Sequence, residues 1–266
     1  MIVEVHGDPR TLTRLYGSPA RRVASPFADA TARLALRRAD ATRALSAFTS
    51  SLVENARGLP ATMCFPTYSD LSAFADPPVE AVPEAATVAF VGALEPYKNV
   101  DGLASAWRTV ARKLPSARLV VVGDGSRRSV VDGLVAELPQ QVEHRPKLPP
   151  SGVAAVLDGA RALVLPSWPE GLGRVVLEAF ARGRPAVATG AGGIPDIVTD
   201  GHDGLLIAPG DTAALAAALL RVLEDREVAV RLGAAARTTY AAWHQTPEDF
   251  ARAYLELVER TLAGAR

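Results

Sequence analysis

The chain has 266 residues, with 29 basic and 29 acidic side chains and a formal net charge of zero. That balance gives no electrostatic reason to expect nucleic acid or an anionic membrane as the main partner, and a hydrophobic share of 48% is too high for a disordered chain. One cysteine, Cys64, excludes an internal disulfide and fits a reducing, cytoplasmic setting. No apolar run approaches the ~18 residues of a membrane helix, which leaves peripheral membrane contact open. Met1–Gly7 lacks the basic start and long apolar stretch of a signal peptide.

Residues 1–75 are mixed in pattern. Ile2–Val5 reads as a strand, and residues 28–38 have helical spacing with a basic face. Residues 42–48 alternate like a strand. Residues 50–57 read as a short helix, with Ser50 or Ser51 as N-cap and Gly58 as its stop. Residues 62–65 form a short strand ending at Pro66. The proline-rich stretch from Asp76 to Pro83 reads as a domain connector.

From residue 84 onward the pattern is regular. Apolar runs at 87–91, 118–122, 162–165, 186–189 and 205–208, and a weaker one at 142–144, alternate with helical stretches at 100–114, 128–138, 153–159, 174–182 and 212–224. Runs without strict alternation suit parallel strands covered on both faces, so the fold class is α/β with a doubly wound sheet. Two further helices, near 226–243 and 247–262, close the chain. Ligands of such sheets bind beyond the carboxyl ends of the strands. The loops that matter are therefore Gly92–Leu94, Gly123–Gly125, Arg145–Lys147, Pro166–Gly173 and Gly190–Gly193.

The richest of these runs from Pro166 to Ala179. Gly171 and Gly173 let backbone approach a ligand, and the helix that starts near Arg174 offers free N–H groups to an anion. Glu178 lies about a turn into that otherwise apolar helix, so its carboxylate needs a partner. Arg174 or Arg182, four residues either side, could supply it. So could a pair of sugar or ribose hydroxyls, which donate where a carboxylate only accepts.

Glu170-Gly171-Leu172-Gly173 followed by Glu178 resembles the E-x7-E signature of the retaining GT-B glycosyltransferases of group 1. The neighbouring blocks agree in order and spacing over residues 87–225. Val91–Asn99 resembles the family's phosphate-binding loop, and Leu119–Gly125 its second strand and Gly-Asp-Gly turn. Gly192–Val198 and Asp200–Leu206 resemble its later loops. The resemblance implies a GT-B fold, with a complete C-terminal doubly wound domain and a partial N-terminal Rossmann-like domain. Residues 1–80 would be the partial, acceptor-side domain and 84–245 the nucleotide-sugar-binding domain. Residues 246–266 would be a helix packing back on the N-terminal part.

It also implies roles. Glu178 would bind the nucleotide ribose and Glu170 the hydroxyls of the donor sugar. Backbone N–H groups near Leu172, Arg174 and Val175, with Gly171 and Gly173, would hold the diphosphate. Lys98 would stabilise its charge as it leaves. Gly92 and Gly123 would border the nucleotide, Lys147 the base, and His6 the sugar or reacting centre. For Lys98, Lys147 and His6 the alternatives are a solvated lysine, a polar loop and a structural histidine. Ala93 stands where the family usually has arginine, which removes a bidentate contact that Arg174 or Arg127 would have to replace. His144, His202 and His244 do not cluster, and no metal-ligand spacing occurs, so no metal site and no cofactor is expected. The co-substrate would be a UDP- or GDP-linked sugar and the acceptor a saccharide, a lipid-linked group or a small molecule.

The early strands and glycine-rich loop of the family's N-terminal domain have no counterpart in residues 1–75. The alternative to a complete enzyme is therefore a nucleotide-sugar-binding module, or a subunit completed by another chain. A GT-B sugar-nucleotide epimerase is a third reading, against which the Glu-Gly-Leu-Gly context argues.

Overall fold

The computed structural model describes residues 1–8, 19–76, 79 and 81–264, with the backbone alone for 19–25. Its larger part is a six-stranded, all-parallel sheet of order β6-β5-β4-β7-β8-β9. The strands are β4 (Thr87–Val91), β5 (Arg118–Val122), β6 (Val142–Arg145), β7 (Ala162–Leu165), β8 (Ala186–Thr189) and β9 (Gly204–Ile207). β5 and β6 lie to one side of β4, and β7 to β9 to the other. The order reverses between β4 and β7, and the crevice there is where ligands of open α/β sheets sit.

Alternate residues of β4 explain the unbroken apolar run. Val88 and Phe90 enter a core with α4 (Val100–Lys113), α5 (Arg128–Glu137) and α9 (Thr212–Glu224). Ala89 and Val91 enter a second core with α3 (Ser72–Ala75), α6 (Pro150–Asp158), α7 (Arg174–Ala181), α8 (Ile194–Ile197) and α10 (Arg226–Trp243). Each large side chain buried in this way contributes ~1.5–3 kcal/mol. The doubly wound arrangement expected from the apolar runs is the one found.

The smaller part is a parallel sheet of order β1-β2-β3, with strands Ile2–Val5, Ala41–Ala44 and Met63–Cys64. Val5 packs with Leu36 of α1 (Pro19–Arg38) and Val53 of α2 (Ala47–Arg57). Elsewhere Ala41 and Phe65 pack with Leu257, Phe250 and Tyr254 of the last helix, α11 (Pro247–Gly264).

Three local expectations change. The strand expected over 42–48 ends at Ala44, and the next helix begins at Ala47 rather than Ser50. Ser46 is its N-cap: its side chain accepts from the Thr49 N–H, and the Thr49 hydroxyl accepts from the Ser46 N–H, a reciprocal capping box. Gly58 ends the helix in the left-handed conformation, as expected (φ 78°). α1 also extends well upstream of residue 28 and passes through Pro26. Among the described residues no helix is long and apolar enough to cross a membrane.

Candidate active site

Three loops meet at the crevice. The first follows β4 and turns at a short 3-10 helix, Pro96–Lys98. It carries Lys98 inward, so that this lysine is buried and its Nζ lies 2.6 Å from Glu170 Oε1. Gly92 faces the lysine stem: a Cβ there would lie 3.5 Å from Lys98 Cε. The Trp168 N–H donates to the Tyr97 carbonyl at 2.7 Å and ties the first loop to the loop after β7.

The loop after β7 is held from below by the Gly190–Gly193 turn. The Gly193 N–H donates to the Glu170 carbonyl at 2.8 Å. A Cβ on Gly192 or Gly193 would overlap the backbone of Glu170 or Gly171, so these glycines permit a backbone-on-backbone contact. Gly173 then takes a left-handed conformation, φ 82° and ψ 52°, and α7 starts without a side-chain cap. Its first N–H groups are thus available to an anion beside Glu170.

Glu178 lies in α7, buried with a side chain only 8% exposed. Arg174 Nε donates to its Oε1 at 3.0 Å. Of the two arginines the spacing offered, Arg174 is the partner. Arg182 is taken by Asp158, in a two-pronged contact of 2.8 and 2.9 Å. Burial pushes the Glu178 carboxyl above the ordinary glutamate value; the Arg174 guanidinium and, less strongly, the Lys98 ammonium oppose the rise. Arg174 itself is 62% exposed, so its pairing with Glu178 is open to exchange with a ligand.

The third loop is Gly123-Asp124-Gly125. Gly123 and Gly125 have positive φ, and a Cβ on Gly123 would overlap the Gly92 carbonyl oxygen. The two loops are locked by Glu95, whose carboxylate accepts from the Ser126 N–H (3.1 Å) and hydroxyl (2.6 Å). Glu95 is not singled out by the sequence motifs; the signal for it is an acidic residue in the loop facing the glycine turn. His144 Nε2 sits 2.9 Å from the Gly123 carbonyl oxygen.

Of the expected site residues, Lys98, Glu170, Glu178, Arg174, Gly92, Gly123 and Gly171–Gly173 converge, and Leu172 and Val175 are half-buried at the start of α7. Lys147 is exposed and makes no hydrogen bond or ion pair with this group among the described residues. Arg127 is directed to Asp101, 3.3 Å away, which leaves Arg174 as the arginine beside the glutamates. His6 directly follows β1, and its carbonyl packs on Gly171, where a Cβ would overlap it. The strand end and the glutamate loop therefore touch. A second bridge between the two parts is Asp196, whose carboxylate accepts from the Ala47 N–H at the start of α2 (2.5 Å).

A cavity of about 570 Å³ beside the end of β1 is lined by Val3, Glu4, His6, Arg33, Leu36 and Leu52, among others, and is bordered by neither Glu170 nor Glu178.

Residues 74–239 match the family of glycosyl transferases group 1. The chain belongs to this family. A D-inositol 3-phosphate glycosyltransferase from Nocardia farcinica is 35% identical over 178 residues, covering 63% of this chain and 40% of that protein. A sulfoquinovosyl transferase from Arabidopsis thaliana is 36% identical over 158 residues, covering 58% of this chain and 30% of that one. The chain thus spans well under half the length of these relatives. Sucrose-phosphate synthase from Thermosynechococcus elongatus superposes with a TM-score of 0.81 at 24% identity, covering 100% of this chain and 68% of that chain. S. aureus TarM, solved with UDP, superposes with a TM-score of 0.75 at 17% identity, over 96% of this chain and 50% of that one. The architecture is of GT-B type, a full doubly wound sheet facing a smaller parallel one.

Proposed function

We propose that this group 1 member moves a sugar from a UDP- or GDP-linked donor to an acceptor hydroxyl with retention of configuration. The observation that carries the reading is the pairing of buried Lys98 with Glu170 at 2.6 Å, beside the uncapped start of α7. A cation and free N–H groups converge there on one point, which is what a departing diphosphate requires. Glu170 would accept hydrogen bonds from donor-sugar hydroxyls. Glu178 would accept from the ribose, giving up Arg174, which could then turn to the phosphates.

In this reading the bond from anomeric carbon to diphosphate oxygen breaks, and a bond to the acceptor oxygen forms on the same face. The acceptor proton passes to the leaving diphosphate. Lys98 and the helix N-terminus stabilise the charge, so no metal is called on. Glu170→Ala should abolish transfer from UDP- or GDP-sugars while nucleotide binding persists. Undiminished transfer by that variant would contradict the assignment.

A second reading is nucleotide-sugar binding with turnover completed by another chain. It is favoured by the three-stranded N-terminal sheet, whose edge strand β1 pairs on one side only among the described residues. Donor binding without transfer or hydrolysis by this chain would select it.

A further inference from the structure

The chain has three lysines, and Lys98 is the one that is buried; Lys113 and Lys147 are exposed. The Lys98 stem lies over Gly92, and its Nζ is 5.2 Å from the centre of the Tyr97 ring and 2.6 Å from Glu170 Oε1. A strongly hydrated ammonium on a flexible stem turns to solvent unless the backbone aims it elsewhere. The backbone that aims this one is the junction between the 3-10 helix and α4.

That junction is a single residue, Asn99. Among the described residues it is the one non-glycine residue with positive φ, at φ 53° and ψ 44°. It closes one helix and opens the next. Its N–H donates to the Pro96 carbonyl at 3.1 Å, and its Oδ1 accepts from the Gly102 N–H at 3.2 Å as the cap of α4. Gly102 is fitted to this cap, since a Cβ there would lie 2.5 Å from Asn99 Oδ1. A capping residue ordinarily has extended backbone, which would set a straight step between the two helices. Left-handed backbone sets a tight reversal there instead, and Lys98, the last residue before it, faces the crevice. Asparagine tolerates that conformation better than most residues, yet still at a cost. An ordinary extended cap would serve α4 as well, so the cost points to the lysine beside it. Upstream the same loop is fixed by Glu95, whose carbonyl accepts from the Lys98 N–H at 2.9 Å and whose carboxylate is held by Ser126.

We propose that Asn99 is a positioning residue: its left-handed backbone, more than its cap, holds Lys98 Nζ in the crevice beside Glu170, where the diphosphate of the donor is bound. The last clause rests on the reading of that crevice as a nucleotide-sugar site. The placement of Lys98 does not.

Two substitutions separate the two roles of Asn99. Asn99→Gly keeps the left-handed backbone and removes the capping oxygen. Asn99→Ser keeps a capping oxygen and loses the tolerance for positive φ. Acetylation of the intact chain by acetic anhydride, read by peptide mass spectrometry, reports on Lys98 with Lys113 and Lys147 as exposed internal standards. Native Lys98 should label about tenfold or more slowly than either standard, as a group that reacts only on local opening. Asn99→Ser should speed its labelling about 5-fold to 30-fold, the bias against left-handed backbone in an ordinary residue. Asn99→Gly should leave it within about twofold of the native rate.

A Lys98 as protected in Asn99→Ser as in the native chain overturns the proposal. So does a Lys98 freed by Asn99→Gly, and that arm stands even where the serine variant folds poorly. Calorimetry with UDP and GDP supplies the link to the site. Asn99→Ser should weaken nucleotide binding in the native chain and weaken it no further in a chain that already carries Lys98→Met. An equal loss in both backgrounds would make Asn99 a general prop of the fold and also overturns the proposal. Unaltered affinity of Lys98→Met itself would instead count against the crevice reading, and the labelling rates are independent of that result.

Discussion

Replacing Glu178 by glutamine should separate stability from binding. The buried carboxyl is raised above 4.5, the ordinary glutamate value, because burial outweighs the pull of Arg174. The folded state therefore holds this proton more tightly than the unfolded one. Stability from this group is greatest below the unfolded value and is lost as pH rises through the folded value. Glutamine carries no such cost, and the Arg174 it leaves behind is 62% exposed and can be solvated. The variant should thus melt no lower than the native chain at pH 7, and its relative stability should improve between pH 4 and pH 7. Binding should move the other way. Two ribose hydroxyls donating to a charged acceptor are worth ~1.5–3 kcal/mol each against ~0.5–1.5 kcal/mol for a neutral one, so losing the charge costs about 1 kcal/mol per bond and weakens binding ~5-fold to ~30-fold. Thermal melts across pH and calorimetric titration with UDP and GDP measure both halves. A Glu178→Gln chain that binds nucleotide as tightly as the native one would refute the ribose assignment. A large loss of stability at pH 7 would show that the Arg174 pair, not desolvation, dominates.

Three further substitutions probe the frame. Gly171→Ala places a Cβ on the His6 carbonyl and should cost ~1–3 kcal/mol or push the end of β1 away; a melt and transfer kinetics would show it, and an unchanged pair of values would argue against the contact. Asp158→Ala strips the counter-charge from Arg182, whose side chain is 1% exposed, and should destabilise by ~3–5 kcal/mol in denaturant titration. Ser46→Ala removes the cap of α2 and should cost ~1 kcal/mol by the same assay.

The strands of the large sheet were legible because each is a short apolar run buried on both faces, as Val88 and Phe90 against Ala89 and Val91 illustrate. The start of α2 was not. Thr42, Ala44, Ser46 and Phe48 continue the alternation of a strand past the N-cap, and the box closes with Thr49 instead of the usual Glu or Gln. The site was legible as a set of loops but not as a set of pairs. Spacing offered Glu178 both Arg174 and Arg182. The choice was made by Asp158, which lies 24 residues from Arg182 in the chain and occupies it from α6.

The central claim is that Lys98 and the start of α7, beside Glu170, bind a nucleoside diphosphate. Calorimetric titration of UDP and GDP into the native chain and into Lys98→Met tests it most directly. One of the two nucleotides should bind the native chain. Its affinity should fall about tenfold or more in a variant that still melts cooperatively, since a charged contact to phosphate is lost. Equal affinity in both proteins, or no binding of either nucleotide to the native chain, would contradict the account.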